Sequence, residues 1–141
     1  ALAVVLGTAA SAPLPEGCIE VQHVLIAFDG SAMTRPIGRT KDEAKQLADD
    51  VLRRAKAGES FDKLVKEYSD DFVPGKPKAS GKYFMCEAEN TPNAPKGAYA
   101  RSNMVPGFGD VSYSLKPGEI GMSEFDAERS PFGWHIIKRL R

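Results

Sequence analysis

Two histidines are the residues of this sequence best suited to chemistry, and each lies in the middle of a strand-forming run. His23 lies in IEVQHVLI, and His135 lies in PFGWHIIK near the end of the chain. Runs of β-branched and aromatic residues bounded by glycine or proline are typical of β-strands. We expect the two strands to lie side by side, with a pocket built over the two imidazoles.

The composition indicates one globular domain. The chain has 141 residues, and lysine plus arginine balance aspartate plus glutamate at 19 each. A neutral chain has no overall field that attracts nucleic acid, so we expect no nucleic-acid partner. Two histidines and no CxxC motif give no zinc spacing, and we expect no metal and no cofactor. Cys18 and Cys86 do not make a disulfide framework, and the sequence leaves their redox state open.

The first segment, residues 1–12, is apolar and uncharged and ends in a small-x-small pattern. These features are typical of the later part of a secretory signal, and the segment is too short to span a bilayer. We interpret residues 1–15 as a signal-like or disordered arm and residues 16–141 as the folded domain, which itself makes no stable membrane insertion. An exported or periplasmic location is expected from this pattern alone, with a cytoplasmic location as the alternative.

Helix signals follow the first strand. Thr40 and Glu43 have the spacing of a capping box, in which the two side chains satisfy the first free amides of a helix. An apolar stripe at spacings of three and four then runs to Gly58, which favours a left-handed helix end. Ser60 predicts the start of a second, shorter helix that ends near Tyr68. Both stripes are expected to be core faces.

The second half of the chain is richer in turn-forming residues. Prolines, lysines and glycines dominate residues 74–97, which predicts a loop that contains a brief strand at 83–86. The later elements are predicted as an edge strand at 97–100, a helical turn containing Val111, a strand near 120–125 and a polar hairpin at 126–130. This order indicates an α+β domain with a small, mainly antiparallel sheet.

Five strings in this order carry a resemblance to a known family: VQHVLI, EAKQLADDVLRRAKAGESFDKLVKEYSDD, MVPGF, YSLKPGEIG and FGWHIIK. From about residue 20 to residue 140 the chain resembles the parvulin-type peptidyl-prolyl cis/trans isomerases, or rotamases. The resemblance implies that residues 16–141 form a parvulin-like (FKBP-like) α+β domain. It implies a four-stranded antiparallel sheet wrapped by about four helices, with the first and last strands adjacent at its centre.

The resemblance also assigns functional positions. The paired histidines of the family fall on His23 and His135, and the acidic position after the second helix falls on Asp71. The hydroxyl near the last strand falls on Ser130, which is expected to fix a ring tautomer. These four are the expected catalytic residues, and the proline-gripping pair of the family falls on Met104 and Phe108.

The activity implied is faster rotation of X-Pro bonds in unfolded or proline-containing client proteins. This rotation crosses a barrier of about 18–20 kcal/mol, because the amide is planar by resonance. A site that binds the twisted amide better than the planar forms lowers the barrier without a covalent step or a cofactor. Met104 and Phe108 would grip the proline ring above the histidines. The expected partners are proline-containing peptide segments, and the expected state is a monomer.

The sequence departs from the family at one pocket wall. An insertion at about residues 82–96 replaces the usual glycine-rich, acidic-leucine turn, and Lys96 stands before Gly97 in place of a leucine. The missing apolar wall has two candidate replacements. Either Phe84 or Met85 folds back over the pocket, or the insertion acts as a lid.

Other interpretations of the same residues stay open. Without the resemblance, a strand histidine is usually a satisfied core residue, and an apolar pair such as Met104 and Phe108 is usually core. Arg35 and Arg39 lack the dense basic cluster of relatives that require phosphate before proline, so no phosphate dependence is expected. The alternative function is a non-catalytic chaperone or holdase module in secretion or envelope protein folding. A hydrolase is disfavoured because no nucleophile has a recognisable setting.

Overall fold

The computed structural model describes residues 13–141, so the signal-like segment 1–12 lies outside the described residues. The elements in chain order are β1 (Cys18–Ile26), α1 (Lys41–Lys56), α2 (Phe61–Tyr68), β2 (Lys82–Cys86), β3 (Tyr99–Ala100), a short 3-10 helix (Arg101–Asn103), α3 (Pro106–Ser114), β4 (Ile120–Ser123) and β5 (Trp134–Arg139). They form the predicted α+β domain. No helix in the described range is long and apolar enough to cross a membrane.

The sheet has the order β3-β2-β1-β5-β4. β1 and β5 are antiparallel neighbours, with Val24 opposite Ile136, which confirms that the first and last strands are adjacent. The sheet contains a fifth strand, however, and this strand pairs in parallel with β2. A parallel pair needs a crossover of about a dozen residues, which the segment between β2 and β3 provides. The described residues contain three α-helices and one 3-10 helix, where about four helices were predicted.

The helix starts are those that the capping residues predict. The Thr40 hydroxyl accepts a hydrogen bond from the Glu43 amide, and the Glu43 carboxylate accepts one from the Thr40 amide, both at 3.1 Å. The Ser60 hydroxyl accepts a hydrogen bond from the Lys63 amide at the start of α2. Gly58 has a φ of +96°, the left-handed conformation that favours glycine after a helix. The helix boundaries are therefore set by local sequence.

The sheet separates two apolar clusters. The stripes of α1 and α2 cover one face, where they pack on Val24, Ile26, Trp134 and Ile136. This confirms both stripes as core faces. α3 covers the other face, whose buried cluster is Ile19, Val21, Met85, Phe108 and Ile137. Burying one such side chain stabilises the fold by about 1.5–3 kcal/mol, so both faces of the central strands are held firmly. The two histidines lie on the α3 face, because residues two positions apart in a strand share a face. His23 is two residues from Val21, and His135 is two residues from Ile137.

Cys18 and Cys86 form a disulfide bond. The two residues are directly opposite each other in the β1–β2 pair, and both are buried. The strand register therefore decides the redox state that the sequence left open. The bond ties the entrance of β1 to the end of β2.

Candidate active site

The two histidines form a contact pair, as predicted. In the β1–β5 register His135 is opposite Leu25, so His23 is its diagonal neighbour on the same face. Their Nδ1 atoms are 3.1 Å apart, within hydrogen-bond distance, and the rings are stacked at 5.3 Å between centroids. Both side chains are buried.

Asp71 extends this pair into a chain of hydrogen bonds. Its Oδ2 atom lies 3.0 Å from Nε2 of His23. The hydrogen bond from His23 is the main cause that lowers the pKa of Asp71 from 3.8 to about 2, and a hydrogen bond from Tyr83 lowers it further. An ionised carboxylate can only accept, so Nε2 of His23 carries a proton and donates it to Asp71.

The charge on Asp71 thereby orients both rings. Burial lowers the pKa of His135 to about 3, with a further lowering by His23, so His135 is neutral near pH 7. When His23 is also neutral, its Nδ1 is bare and accepts the Nδ1–H of His135. Nε2 of His135 is then the bare end of the chain. It is buried and has no hydrogen-bond partner among residues 13–141.

The position of Asp71 is set by its neighbour Asp70. The Asp70 amide donates to the carbonyl of Leu25 at 2.8 Å, and the Asp70 carboxylate accepts from the amide of Ala27 at 2.9 Å. These bonds tie the turn after α2 to the end of β1. Asp71 is therefore placed at the open edge of the histidine pair, and its side chain is 42% exposed.

The two arginines of the loop after β1 stabilise the turn at Asp70. Arg39 donates to the Asp70 carboxylate at 2.6 Å and to the carbonyl of Ala27 at 3.0 Å. Arg35 donates to the carbonyl of Asp70 at 2.6 Å, and its guanidinium lies 4.4 Å above the Phe72 ring. Neither arginine lines the cleft over the histidines. Both arginines therefore stabilise the turn at Asp70 and lie outside the cleft.

A cleft of about 350 Å³ lies over the histidines. Five of the six predicted site residues line it: His23, Asp71, Met104, Phe108 and His135. The ring of Phe108 meets both imidazoles edge-on, with centroids 5.2 Å from His23 and 5.4 Å from His135. The apolar ring of Phe108 is therefore in direct contact with the hydrogen-bonded histidines. No group of three or more His, Cys, Asp or Glu side chains in residues 13–141 is arranged to hold a metal ion.

Phe108 is both a core residue and a wall of the cleft. Pro106 begins α3, a position where its fixed φ and missing N–H fit a helix start, so Phe108 lies in the first turn of a helix. The sequence predicted a constrained turn at this point. Phe108 is only 1% exposed, whereas Met104 is half-buried. From sequence, core residue and site residue were alternative interpretations of Phe108. In the structure Phe108 is both.

Ser130 does not reach the histidine rings. It is buried outside the cleft, and its hydroxyl donates to the carbonyl of Gly133 at 3.0 Å. Because Nε2 of His135 has no partner in the described part of the chain, the expected bond that fixes a tautomer is not formed. The turn into β5 brings the hydroxyl within reach of a backbone carbonyl first. Asp71, at the other end of the chain, orients the rings instead.

Two tyrosines supply the apolar wall that the sequence left unassigned. Tyr83 and Tyr99 line the cleft, with their rings 5.7 Å apart. Neither Phe84 nor Met85 folds back over the cleft, and Met85 is buried in the cluster beneath α3. None of residues 84–98 lines the cleft. Alternation in KYFMC was the available signal, because it places Tyr83 on the same face as Met85.

The fold is that of the parvulin class of domains. The family model for the PPIC-type PPIase domain matches residues 10–140, and the chain belongs to this family. It is 30% identical over 122 residues to chaperone SurA of Pseudomonas fluorescens, covering 86% of this chain and 22% of that protein. It is 34% identical over 98 residues to foldase protein PrsA of Geobacillus kaustophilus, covering 70% of this chain and 27% of that protein. The chain thus spans about a quarter of the length of these relatives.

Solved structures confirm the parvulin fold. The peptidyl-prolyl isomerase ESS1 from Candida albicans has a TM-score of 0.66 at 24% identity, over 92% of this chain and 66% of that chain. The solution structure of TbPIN1 has a TM-score of 0.61 at 22% identity, over 90% of this chain and all of that chain. These likenesses concern the fold alone.

Proposed function

We propose that this domain accelerates cis/trans isomerisation of X-Pro bonds in unfolded or proline-containing client chains. The observation that carries the proposal is the contact of Phe108 with both imidazoles inside an apolar cleft. A proline ring fits such a cleft, since it is small, apolar and lacks an N–H that would need a partner. Membership of the PPIC-type PPIase family supports the same reaction.

The proposed mechanism is preferential binding of the twisted amide. Met104 and Phe108 hold the proline ring while the preceding carbonyl rotates. The planar amide places partial negative charge on its carbonyl oxygen, because resonance draws charge from nitrogen. The Asp71 charge at the cleft disfavours that planar form relative to the twisted one, which lowers the barrier. No covalent bond and no proton transfer to the substrate is needed.

His23 and His135 act in this proposal as the floor of the cleft. Their mutual hydrogen bond and the bond to Asp71 hold the carboxylate at a fixed place beside the substrate. Ser130 contributes indirectly. Its hydroxyl bonds the Gly133 carbonyl and so stabilises the turn that leads to His135. The functional unit is the domain from residue 16 to 141.

The test is a protease-coupled isomerisation assay on short X-Pro peptides with two matched variants. Met104→Ala removes half-buried apolar surface from the cleft, and we expect kcat/KM to fall about tenfold or more. Val111→Ala, on the covered side of α3, leaves the cleft intact and is expected to keep its activity. Phe108→Ala is less suitable, because emptying a buried aromatic site costs about 3–5 kcal/mol of stability. A folded wild-type domain that does not accelerate isomerisation refutes the proposal.

A second candidate is a chaperone module that binds chains without catalysis. Two exposed aromatic residues at the cleft favour it, Tyr99 at 46% and Phe132 at 38% exposure. The similarity to proteins named chaperone SurA and foldase protein PrsA points in the same direction. Binding of an unfolded client in the absence of isomerase activity would select this candidate.

We also propose that the domain works outside the reducing cytoplasm. The Cys18–Cys86 disulfide supports this location, because disulfides persist mainly in oxidising compartments. The signal-like composition of residues 1–12 supports it independently. Recovery of the protein with two free thiols from its native compartment would contradict this location.

A further inference from the structure

Tyr83 makes the shortest hydrogen bond to Asp71. Its hydroxyl donates to Oδ2 of Asp71 at 2.7 Å, the same oxygen that Nε2 of His23 contacts at 3.0 Å. One carboxylate oxygen thus receives two donors, one from each side. The other oxygen, Oδ1, makes no hydrogen bond to any residue from 13 to 141.

The tyrosine lies in a strand, whereas the carboxylate lies in an irregular segment. Tyr83 is opposite Val21 in the β1–β2 ladder, and its ring packs 5.3 Å from the His23 ring and 6.4 Å from Phe108. Asp71 lies in the irregular segment after α2 with its side chain 42% exposed. An exposed carboxylate with one partner can rotate towards water, whereas a second donor on a strand restricts it.

The phenol stays a donor over the working range of pH. Burial, together with the hydrogen bond to Asp71, raises the pKa of Tyr83 well above its ordinary value. Among residues 13–141, Asp71 is the one acidic side chain that lines the cleft, and no lysine or arginine lines it, so the orientation of this carboxylate controls the local field.

We infer that Tyr83 is a positioning residue of this site, whose hydroxyl holds the Asp71 carboxylate on the His23 ring. In doing so it fixes the direction of the hydrogen bonds, which His135 donates to His23 and His23 donates to Asp71. The inference rests on the proposed isomerase function, since Tyr83 acts on the reaction only through Asp71. Tyr83 thus has two roles. Its ring forms part of the cleft wall, and its hydroxyl positions Asp71.

The test compares Tyr83→Phe with Tyr68→Phe. Tyr83→Phe keeps the ring and removes the hydroxyl. Tyr68→Phe is the matched control, because the Tyr68 hydroxyl also bonds a charged group, Arg54 at 2.7 Å, but lies outside the cleft. For Tyr83→Phe we expect kcat to fall about tenfold with little change in KM, as for loss of a hydrogen bond to a charged group. Tyr68→Phe is expected to leave both constants unchanged.

A second readout does not depend on activity. In carboxyl-carbon NMR titrations, the pKa of Asp71 should rise in Tyr83→Phe from about 2 towards the ordinary 3.8 and stay unchanged in Tyr68→Phe. Nitrogen NMR of the His23 ring should show a mixed tautomer only in Tyr83→Phe. Unchanged Asp71 and His23 signals in Tyr83→Phe overturn the inference, as does an unchanged kcat in an active enzyme. Lack of activity in the wild type would instead refute the proposed function, and the NMR result would still decide the role of Tyr83.

Discussion

Reduction of the Cys18–Cys86 disulfide should lower stability strongly without changing the fold. The bond joins residues separated by 68 positions, so it closes a long loop in the unfolded chain. Loop-closure entropy for that length corresponds to about 4 kcal/mol at 25 °C, chiefly through the unfolded state. The folded state loses little, because the β1–β2 hydrogen bonds and the buried surroundings of both sulfurs remain.

Urea unfolding of the oxidised protein and of the Cys18→Ala/Cys86→Ala variant measures this effect. With a slope of about 2 kcal/mol per molar urea, a loss of about 4 kcal/mol moves the midpoint down by about 2 M. The oxidised protein after treatment with a reductant serves as the control, because it keeps both sulfur atoms and isolates the effect of the cross-link. Coinciding midpoints for the oxidised and reduced proteins would refute the loop-closure argument. Two free thiols in the denatured, unreduced protein would refute the bond itself.

Two further perturbations test the buried site and the helix above it. Because the folded protein binds a proton at His135 only near pH 3 and the unfolded chain binds it near 6.5, the free energy of unfolding should fall as pH decreases between these values. The slope approaches about 1.4 kcal/mol per pH unit, and urea titrations from pH 7 to 4 should show a shallower slope for His135→Gln; equal slopes would contradict the burial argument. Gly107→Ala should cost about 1–3 kcal/mol in thermal unfolding, because its Cβ would lie 2.5 Å from Oγ of Ser123 and 3.0 Å from the carbonyl of Arg129. Gly109→Ala on the same helix meets only a flexible side chain, so a comparable loss in both variants would argue against the clash at residue 107.

The helices and the central strands could be predicted from sequence because their signals are local. The capping box at Thr40 and the glycine at 58 act within a few residues, and the apolar spacings that follow them act within one helix. β1 was predicted to begin at residue 19 and begins at Cys18. The resemblance then supplied what local signals lack, namely that the two histidine strands are neighbours. That adjacency is confirmed by the register of β1 and β5.

The partners of the site residues depended on contacts between distant segments. Ser130 matched the hydroxyl position of the family, yet its short side chain meets the Gly133 carbonyl before any ring. Tyr83 was hidden inside an apparent insertion, although its pairing with Val21 places it beside His23. A composition shift in a loop indicates that the chain departs from a family pattern. It does not say which side chain fills the space.

By itself, the sequence determined the family, the helix ends and five of the residues that line the cleft, because these depend on residue type and on short-range periodicity. The tertiary structure alone decided the disulfide, the tyrosine wall and the course of the hydrogen bonds through Asp71. Each of these depends on the register of β1 with β2 or on the turn after α2. A shift of one residue in a strand pair moves every side chain to the opposite face, and no local pattern in this chain specifies that register.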